Sequence, residues 1–354
     1  MKDLTTLSVE ITEQNYRNLP LISYSMLSSF AQNGFRSIFS RKPTNAGMGE
    51  GKILDILLTG DKDTMAKNLA VLNVELPSDN IKLVIQKVVE ALTLLKLPIP
   101  ETLMYDLDQK VVDQIILQSR LINYGQSWNP ATLVGKIVKE GNDYYKFYCK
   151  NKDKQIVSQD QFERIADLIP ELQLNPYTAP YCNFTKTEDI TFYDQLKFIL
   201  PDGEYKIKGM MDRIIVDHRN KTLQIVDFKL TNEDEENFEQ RILKFNYDIQ
   251  AEMYNYILSE IIKEDSYFQD FEILPFKFIV IDPDISSPIV WEFPNLNDEI
   301  PIVTSYGYPR KHWKSLYKEV MFYKELPEPP RYSKRTLENN GCNRISILRN
   351  INDL

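Results

Sequence analysis

The sequence predicts a mixed α/β (α+β) fold, a central mixed sheet flanked by helices behind a largely helical N-terminal half. Three observations predict it. Apolar residues recur at helical spacing through most of residues 1–175. Three consecutive runs then turn rich in β-branched and aromatic residues, Asp189–Leu200, Tyr205–Val216 and Thr222–Leu230, with turn residues between them. An amphipathic segment, Tyr247–Lys263, precedes a strongly apolar run, Phe276–Asp282. Strand, strand, strand, helix, strand is the order of a mixed sheet with helices packed on it.

In chain order, Ser23-Tyr24-Ser25-Met26-Leu27 reads as a helix start with Ser23 as the cap, without the acid that completes a capping box. A helix follows over Gly51–Leu58 and ends near Gly60. Helical patterns continue at Asn80–Leu95, Asp106–Leu121 and Gln159–Leu172, the last broken by Asn175-Pro176. The three strands come next, turning at Pro201-Asp202-Gly203 and across Asp217–Lys221. The acidic run Glu233–Glu236 reads as a solvated loop. In Tyr247–Lys263, Ile249, Met253, Tyr256 and Ile257 line one side. Ile289–Phe293 reads as a short edge strand and Tyr317–Leu326 as a helix. The expected organisation is a mostly helical region over 1–175, a core over 176–300 and a basic C-terminal helix and tail over 301–354.

Composition narrows the classes. With 354 residues, 43% hydrophobic and 26% charged, the chain is ordinary globular material with room for one large or two smaller domains. No apolar run approaches the roughly 18–20 residues of a membrane helix, and MKDLTTLSVEITEQ lacks the apolar stretch of a signal peptide. Three scattered cysteines, Cys149, Cys182 and Cys342, form neither a disulfide framework nor a CxxC site, which predicts a reducing, cytoplasmic setting and no membrane partner. Only two histidines, His218 and His312, argue against zinc chemistry and against Ser-His or Cys-His hydrolases. The net charge of −9 is not that of a typical nucleic-acid binder. It is uneven, however: from Pro309 to Arg349, ten Lys/Arg against four Glu give an excess of +6 and leave −15 for the rest. Trp313, Tyr317, Tyr323 and Tyr332 interleave that segment, which reads either as a surface for phosphates and bases or as a solvated helix face and tail.

The chemistry concentrates in two strands. In Ile225-Val226-Asp227-Phe228-Lys229-Leu230, alternation puts Asp227 and Lys229 on one face and Val226, Phe228 and Leu230 on the other. An acid and an amine in so apolar a strand need a partner, because burying a charge unpaired is costly. The midpoint of Asp212 and Asp227 falls between Arg219 and Asn220, inside the polar turn Asp217–Lys221. A near-symmetric hairpin therefore sets the two aspartates opposite one another, about 5 Å apart between backbones; a one-residue slip would undo this. Two carboxylates that close repel, and a hard divalent cation such as Mg²⁺ or Mn²⁺ relieves the repulsion, with the Phe228 carbonyl as a further oxygen ligand. Lys229 beside it suits orienting or deprotonating a water, or neutralising charge on a phosphate in reaction. Gly209 allows close approach of backbone or substrate. Gln250 and Tyr254, four apart on the following helix, share a face and suit hydrogen bonds to phosphate oxygens. The competing reading is a cross-strand ion network on a solvated sheet face and an ordinary amphipathic helix boundary.

Taken together, Ile207-Lys-Gly-Met-Met-Asp212, then Ile225-Val-Asp227-Phe-Lys229, then Tyr247-Asp-Ile-Gln250-Ala-Glu-Met-Tyr254 resemble the PD-(D/E)XK nuclease superfamily, and most closely its RecB-like and phage-type exonuclease branch. The likeness covers residues 188–293. It implies a restriction-endonuclease-like core, with Asp212 and Asp227 as metal ligands, Lys229 as the catalytic lysine, and Gln250 and Tyr254 as active-site residues that contact DNA. It also implies an N-terminal helix carrying G-x-x-x-H. The similar stretch here is Gly51-Lys-Ile-Leu-Asp55, within a helix over about 47–60, where aspartate replaces histidine; Glu50 is the less favoured substitute. Ser23-Tyr-Ser-Met-Leu27 is similar to the SYSxL entry of such nucleases. Three cysteines fall short of the four that iron–sulfur members use, so no cluster is expected.

The resemblance implies a Mg²⁺- or Mn²⁺-dependent deoxyribonuclease, an exonuclease acting from ends of linear double-stranded DNA in recombination, repair or phage replication. A single-strand annealing protein and further copies of the chain are the partners it implies. The alternatives are an endonuclease of the same fold and a catalytically degenerate DNA-binding or scaffold protein, which the acidic balance and missing histidine favour.

Overall fold

The computed structural model describes residues 2–39, 47–59, 62–103, 107–183, 187–231, 237–284, 287–295 and 310–342. The chain divides into two compact units: residues 1–60 with 165–354, and residues 61–164. The region expected as one helical half, 1–175, thus falls in both. The acidic run 233–236 and the basic residues Arg344 and Arg349 lie outside the described residues.

In the first unit, α1 (Glu13–Asn18), β1 (Ile22–Ser23), α2 (Tyr24–Asn33) and α3 (Gly47–Thr59) precede the second unit. The second unit holds α4 (Lys62–Asn68), β2 (Leu69–Val71), α5 (Asp79–Leu94), α6 (Gln109–Leu121), α7 (Pro130–Asn151), β3 (Gln155–Val157) and most of α8 (Gln159–Ala166). The first unit then resumes with α9 (Leu168–Leu174), α10 (Ala179–Cys182), β4 (Ile190–Leu200), β5 (Ile207–Asp217) and β6 (Thr222–Leu230). It closes with α11 (Phe238–Phe245), α12 (Tyr247–Lys263), β7 (Glu272–Ile273), β8 (Phe276–Ile281), β9 (Ile289–Phe293), α13 (Trp313–Lys324) and α14 (Lys334–Glu338).

Among the described residues the central sheet is mixed and seven-stranded. Its path runs β1-β5-β6-β8-β9, with β4 antiparallel to β5 and β7 parallel to β6. β6 and β8 are parallel, because the connection between them contains α11 and α12. The expected fold class therefore holds: a mixed sheet flanked by helices. β5 meets β6 only from Arg213 opposite Val226 to Asp217 opposite Thr222. Nearer its start, at Ile207 and Lys208, β5 pairs in parallel with β1. Between these two partners β5 and β6 part, and the site described below sits at that parting.

The helices hold the sheet by apolar stripes. α12 buries Ile249, Met253, Tyr254, Ile257 and Leu258, and it packs on β4 and β5. α3 buries Ile53, Leu54, Ile56 and Leu58 and packs on β5 and β6. Helix and sheet approach closely at Gly209. A Cβ there would stand 2.9 Å from Ile257 Cδ1 and 3.2 Å from the Tyr254 ring. Of the backbone or substrate approach expected of it, the glycine here serves the close packing of a helix on the strand. Gly209→Ala should cost about 1–3 kcal/mol by overpacking, read as a lowered thermal midpoint of the first unit.

Several boundaries differ from expectation. α7 has no counterpart in the sequence reading, although Asn129 caps it, Pro130 opens it, and Leu133, Ile137, Val138, Gly141, Tyr144 and Tyr145 form its inner stripe. Gly141 weakens the pattern, and it is there because a Cβ would meet Ile85 Cδ1 at 2.6 Å. The helix expected over Gln159–Leu172 is two, α8 and α9, parted at Asp167. Pro170 explains the break, since its ring would clash with the carbonyl four residues earlier in a continuous helix. Ser23 is the residue before α2, but its hydroxyl pairs with Ser25 Oγ at 2.9 Å and caps nothing. The last long helix starts one turn early, at Trp313, behind His312, whose ring accepts from Lys314 N.

The basic C-terminal segment is also corrected. Trp313, Tyr317 and Tyr323 are buried in the main core, and Tyr205 packs edge-on against Trp313 and Tyr317. Arg310 binds Asp248 and Asn246 and the Leu243 carbonyl, tying the α11–α12 corner. These groups are core and staple, and of the four aromatics only Tyr332 is exposed enough to stack on a base.

Candidate active site

The β5–β6 ladder ends at Arg213 opposite Val226; Asp212 and Asp227 are the next residues of the two strands, and they lie close enough for Asp227 to act on Asp212. Asp227 is 2% exposed. Its Oδ1 accepts a 2.6 Å hydrogen bond from Gln250 Nε2 on α12, and its Oδ2 lies 2.5 Å from Lys229 Nζ. Asp212 Oδ2 accepts from the Phe228 N–H and its Oδ1 from Gln195 Nε2, both at 3.4 Å. The Phe228 N–H therefore points toward β5. In an extended strand the carbonyl of the same residue points the same way, which sets it on the side of Asp212.

Around this pair stands a wall of tyrosines. Lys229 Nζ lies 4.6 Å from the centre of the Tyr247 ring. Tyr24 donates to the Phe245 carbonyl at 3.0 Å and packs edge-on against Tyr254. Gln250 Oε1 is buried without a hydrogen-bond partner. Tyr247 is three residues before Gln250 on the same helical face, a spacing that marks it in the sequence; Tyr24 sits in the SYSxL stretch. Neither was singled out from sequence for contact with Lys229.

Residues 144–314 match the family model of the PD-(D/E)XK nuclease superfamily. This segment belongs to that superfamily. The PD-(D/E)XK core is that of a nuclease, a phosphodiester hydrolase whose partner is DNA. No curated protein matches the chain. Among solved structures, one titled "Crystal structure of SSO0001" is similar at 17% identity over 82% of this chain and 91% of that chain, with a TM-score of 0.23. No helix among the described residues is long and apolar enough to cross a membrane.

The electrostatics of this cluster are those of crowded acids. Burial, then Asp227 and Asp55, push the Asp212 carboxyl well above its ordinary value. Burial, then Asp227, push Asp55 up to about 7. Asp55 therefore reaches the site electrostatically from α3, with Glu50 in the first turn of the same helix. Burial alone would lower the Lys229 ammonium, but Asp227, Tyr247, Asp212 and Tyr24 outweigh it and hold the group well above its usual range. Burial first, then the two aspartates, hold the Tyr254 phenol protonated.

Nucleases of this superfamily usually use divalent metal ions. The residues here fit one. Asp227 Oδ2 is buried and accepts no well-formed hydrogen bond, and two facing carboxylates with a carbonyl beside them are the hard oxygen donors such a cation takes. Among the described residues no three Asp, Glu, His or Cys side chains are gathered tightly enough to enclose a metal. In this arrangement Asp227 is turned to Gln250 and Lys229 instead.

Behind the site lies Arg213, 0% exposed and unremarked in the sequence. It forks onto Asp194 and binds the carbonyls of Tyr181 and Leu58. Leu58 is three residues from Asp55, so Arg213 anchors the helix that carries Asp55.

Proposed function

We propose that the protein is a Mg²⁺- or Mn²⁺-dependent deoxyribonuclease, acting as an exonuclease on ends of linear double-stranded DNA. The observation that carries the reading is Asp212 facing Asp227 where β5 and β6 part, with Lys229 and Gln250 both on Asp227. The exonuclease assignment rests on the ordered likeness of the Asp212, Asp227-x-Lys229 and Gln250-x-x-x-Tyr254 elements. Asp212, Asp227 and the Phe228 carbonyl would hold the cation, with Asp55 as a third carboxylate. When bound, such a cation stabilises charge on the phosphate and acidifies a coordinated water.

The side chains do the rest. Lys229 stays an ammonium because acids surround it, so it offsets charge on the phosphodiester as water attacks in line. Gln250 holds Asp227 through one oxygen, and a bound cation would share the other with Lys229. Its free Oε1 is placed to orient a water. Tyr254, a protonated phenol, is a hydrogen-bond donor to a phosphate oxygen. No iron–sulfur cluster belongs to this reading, since three cysteines fall short of four.

End-labelled linear duplex and covalently closed circular DNA, each incubated with Mg²⁺ and with EDTA, test the reading together. Loss of label from linear DNA only, stopped by EDTA, is expected. Cutting of the closed circle would assign an endonuclease instead. Tight binding without cleavage under Mg²⁺ or Mn²⁺ would make the protein a DNA-binding scaffold.

A further inference from the structure

β4 and β5 share one unusual step. Their antiparallel ladder keeps a single register from Ile190 opposite Asp217 to Leu200 opposite Ile207, but the pair Gln195–Asp212 is missing from it. Gln195 has φ of +53° in the middle of a strand, in the left-handed region that residues other than glycine and asparagine avoid. At the same step both strands change which residues face the core. From β4 the core takes Tyr193, then Leu196 and Phe198; from β5 it takes Ile207 and Met211, then Ile214 and Val216. Inward positions pass from odd to even on both strands, and the change falls at Gln195 and Asp212.

The consequence is geometric. Alternation carried forward from Ile207 and Met211 would turn Asp212 to the opposite face from Met211. Alternation carried back from Ile214 gives Asp212 the face of Ile214. The hairpin register makes that the face of Ile225 and Asp227. The inversion therefore lets β5 feed the core at both ends and still turn Asp212 toward Asp227. The Gln195 amide completes the arrangement by donating to Asp212 Oδ1. Asp194, beside it, is clamped by the fully buried Arg213, which holds the strained step in place.

We propose that Gln195 is a positioning residue for the metal site: its left-handed backbone turns Asp212 onto the face of Asp227, and its amide fixes the Asp212 carboxylate. The proposal rests on the reading of Asp212 and Asp227 as ligands. It assigns Gln195 no contact with DNA or with the reacting atoms.

The test is Mn²⁺ titration of DNA-free protein, by calorimetry, on wild type, Gln195→Gly, Gln195→Val and Asp227→Ala, with a thermal melt of each. Glycine accepts the left-handed step but lacks the amide, so Q195G should melt at or above the wild-type temperature and bind Mn²⁺ about 10-fold more weakly, the scale of lost support around a metal ligand. Valine resists positive φ, so Q195V should melt lower and, where folded, bind more weakly than Q195G. Wild-type affinity in Q195G overturns the role of the amide, and wild-type affinity in a folded Q195V overturns the role of the backbone. If Q195V does not fold, Gln195→Ala, which disfavours positive φ more mildly, takes its place: affinity below that of Q195G supports the backbone role, and affinity equal to it overturns that role. Equal binding by wild type and D227A would overturn the metal-site reading itself, and this proposal with it; loss in D227A with no loss in Q195G overturns only the proposal.

Discussion

Asp227→Asn is expected to lower the rate of linear-DNA cleavage on the order of 10³-fold, a loss far larger than its effect on folding. The size follows from removing a ligand charge that supports metal stabilisation of the reacting phosphate, worth several kcal/mol, where about 4 kcal/mol is roughly three decades in rate. The amide oxygen of asparagine can still accept from Gln250 Nε2, so the β6–α12 contact survives. Stability should fall modestly: relief of the repulsion on Asp212 and Asp55 offsets only part of the loss of the Lys229 ion-pair partner. Asp212→Asn should behave alike. Asp55→Asn should cost less, since Asp55 reaches the others through space and no hydrogen bond to them is seen. Initial rates under saturating Mg²⁺, alongside thermal melts, make the measurement. Activity within threefold of wild type in D227N would remove this aspartate from the chemistry and with it the site proposed above.

The hairpin that makes this argument was legible because its information is local. A polar turn over Asp217–Lys221 between two apolar runs fixes the midpoint, and strand alternation then sets Asp227 and Lys229 on one face. α12 was legible to its ends, Tyr247 and Lys263, because its stripe has uniform helical spacing. What alternation hid was the inversion at Gln195. Its trace is Asp194-Gln195, two consecutive polar residues inside an apolar strand, which a strict period of two cannot accommodate. The C-terminal basic segment was misjudged because charge was weighed before spacing. Trp313, Leu316, Tyr317 and Val320 already form a helical stripe, and that stripe is core. The grouping of 1–60 with 165–354 was legible only for the helix over 47–60, which the resemblance ties to the site; the rest depends on contacts such as Arg213 to Leu58, 155 residues apart in sequence.

That contact carries the largest expected effect on stability. Arg213 is 0% exposed and donates to Asp194 at 2.7 and 3.1 Å, to the Tyr181 carbonyl at 2.7 Å and to the Leu58 carbonyl at 2.8 Å, with its guanidinium 5.5 Å from the centres of the Phe192 and Phe228 rings. Arg213→Met keeps the bulk against the rings but leaves a carboxylate and two carbonyls without their donor. Severing a buried pair on one side costs about 3–5 kcal/mol. The Asp194 side chain keeps 18% exposure and some water, which places the loss near the lower end. For a unit of this size about 3 kcal/mol corresponds to a fall in Tm of roughly 6–12 °C. Arg213→Lys keeps the charge without the fork and should fall between. Because the chain has two units, the melt must report on one of them. Trp128 lies in the second unit, whereas Trp291 and Trp313 lie in the first, so in a Trp128→Phe background tryptophan fluorescence follows the first unit alone. Adding Asp194→Asn to Arg213→Met then separates two causes. If the ion pair alone stabilises, the double variant should recover most of the loss, since no charge is left unpaired. If the clasp on Leu58 and Tyr181 contributes, recovery should stop well short, because those carbonyls still lack a donor. We expect the second outcome, and full recovery would mean that Arg213 does not hold α3, and so Asp55, against the sheet.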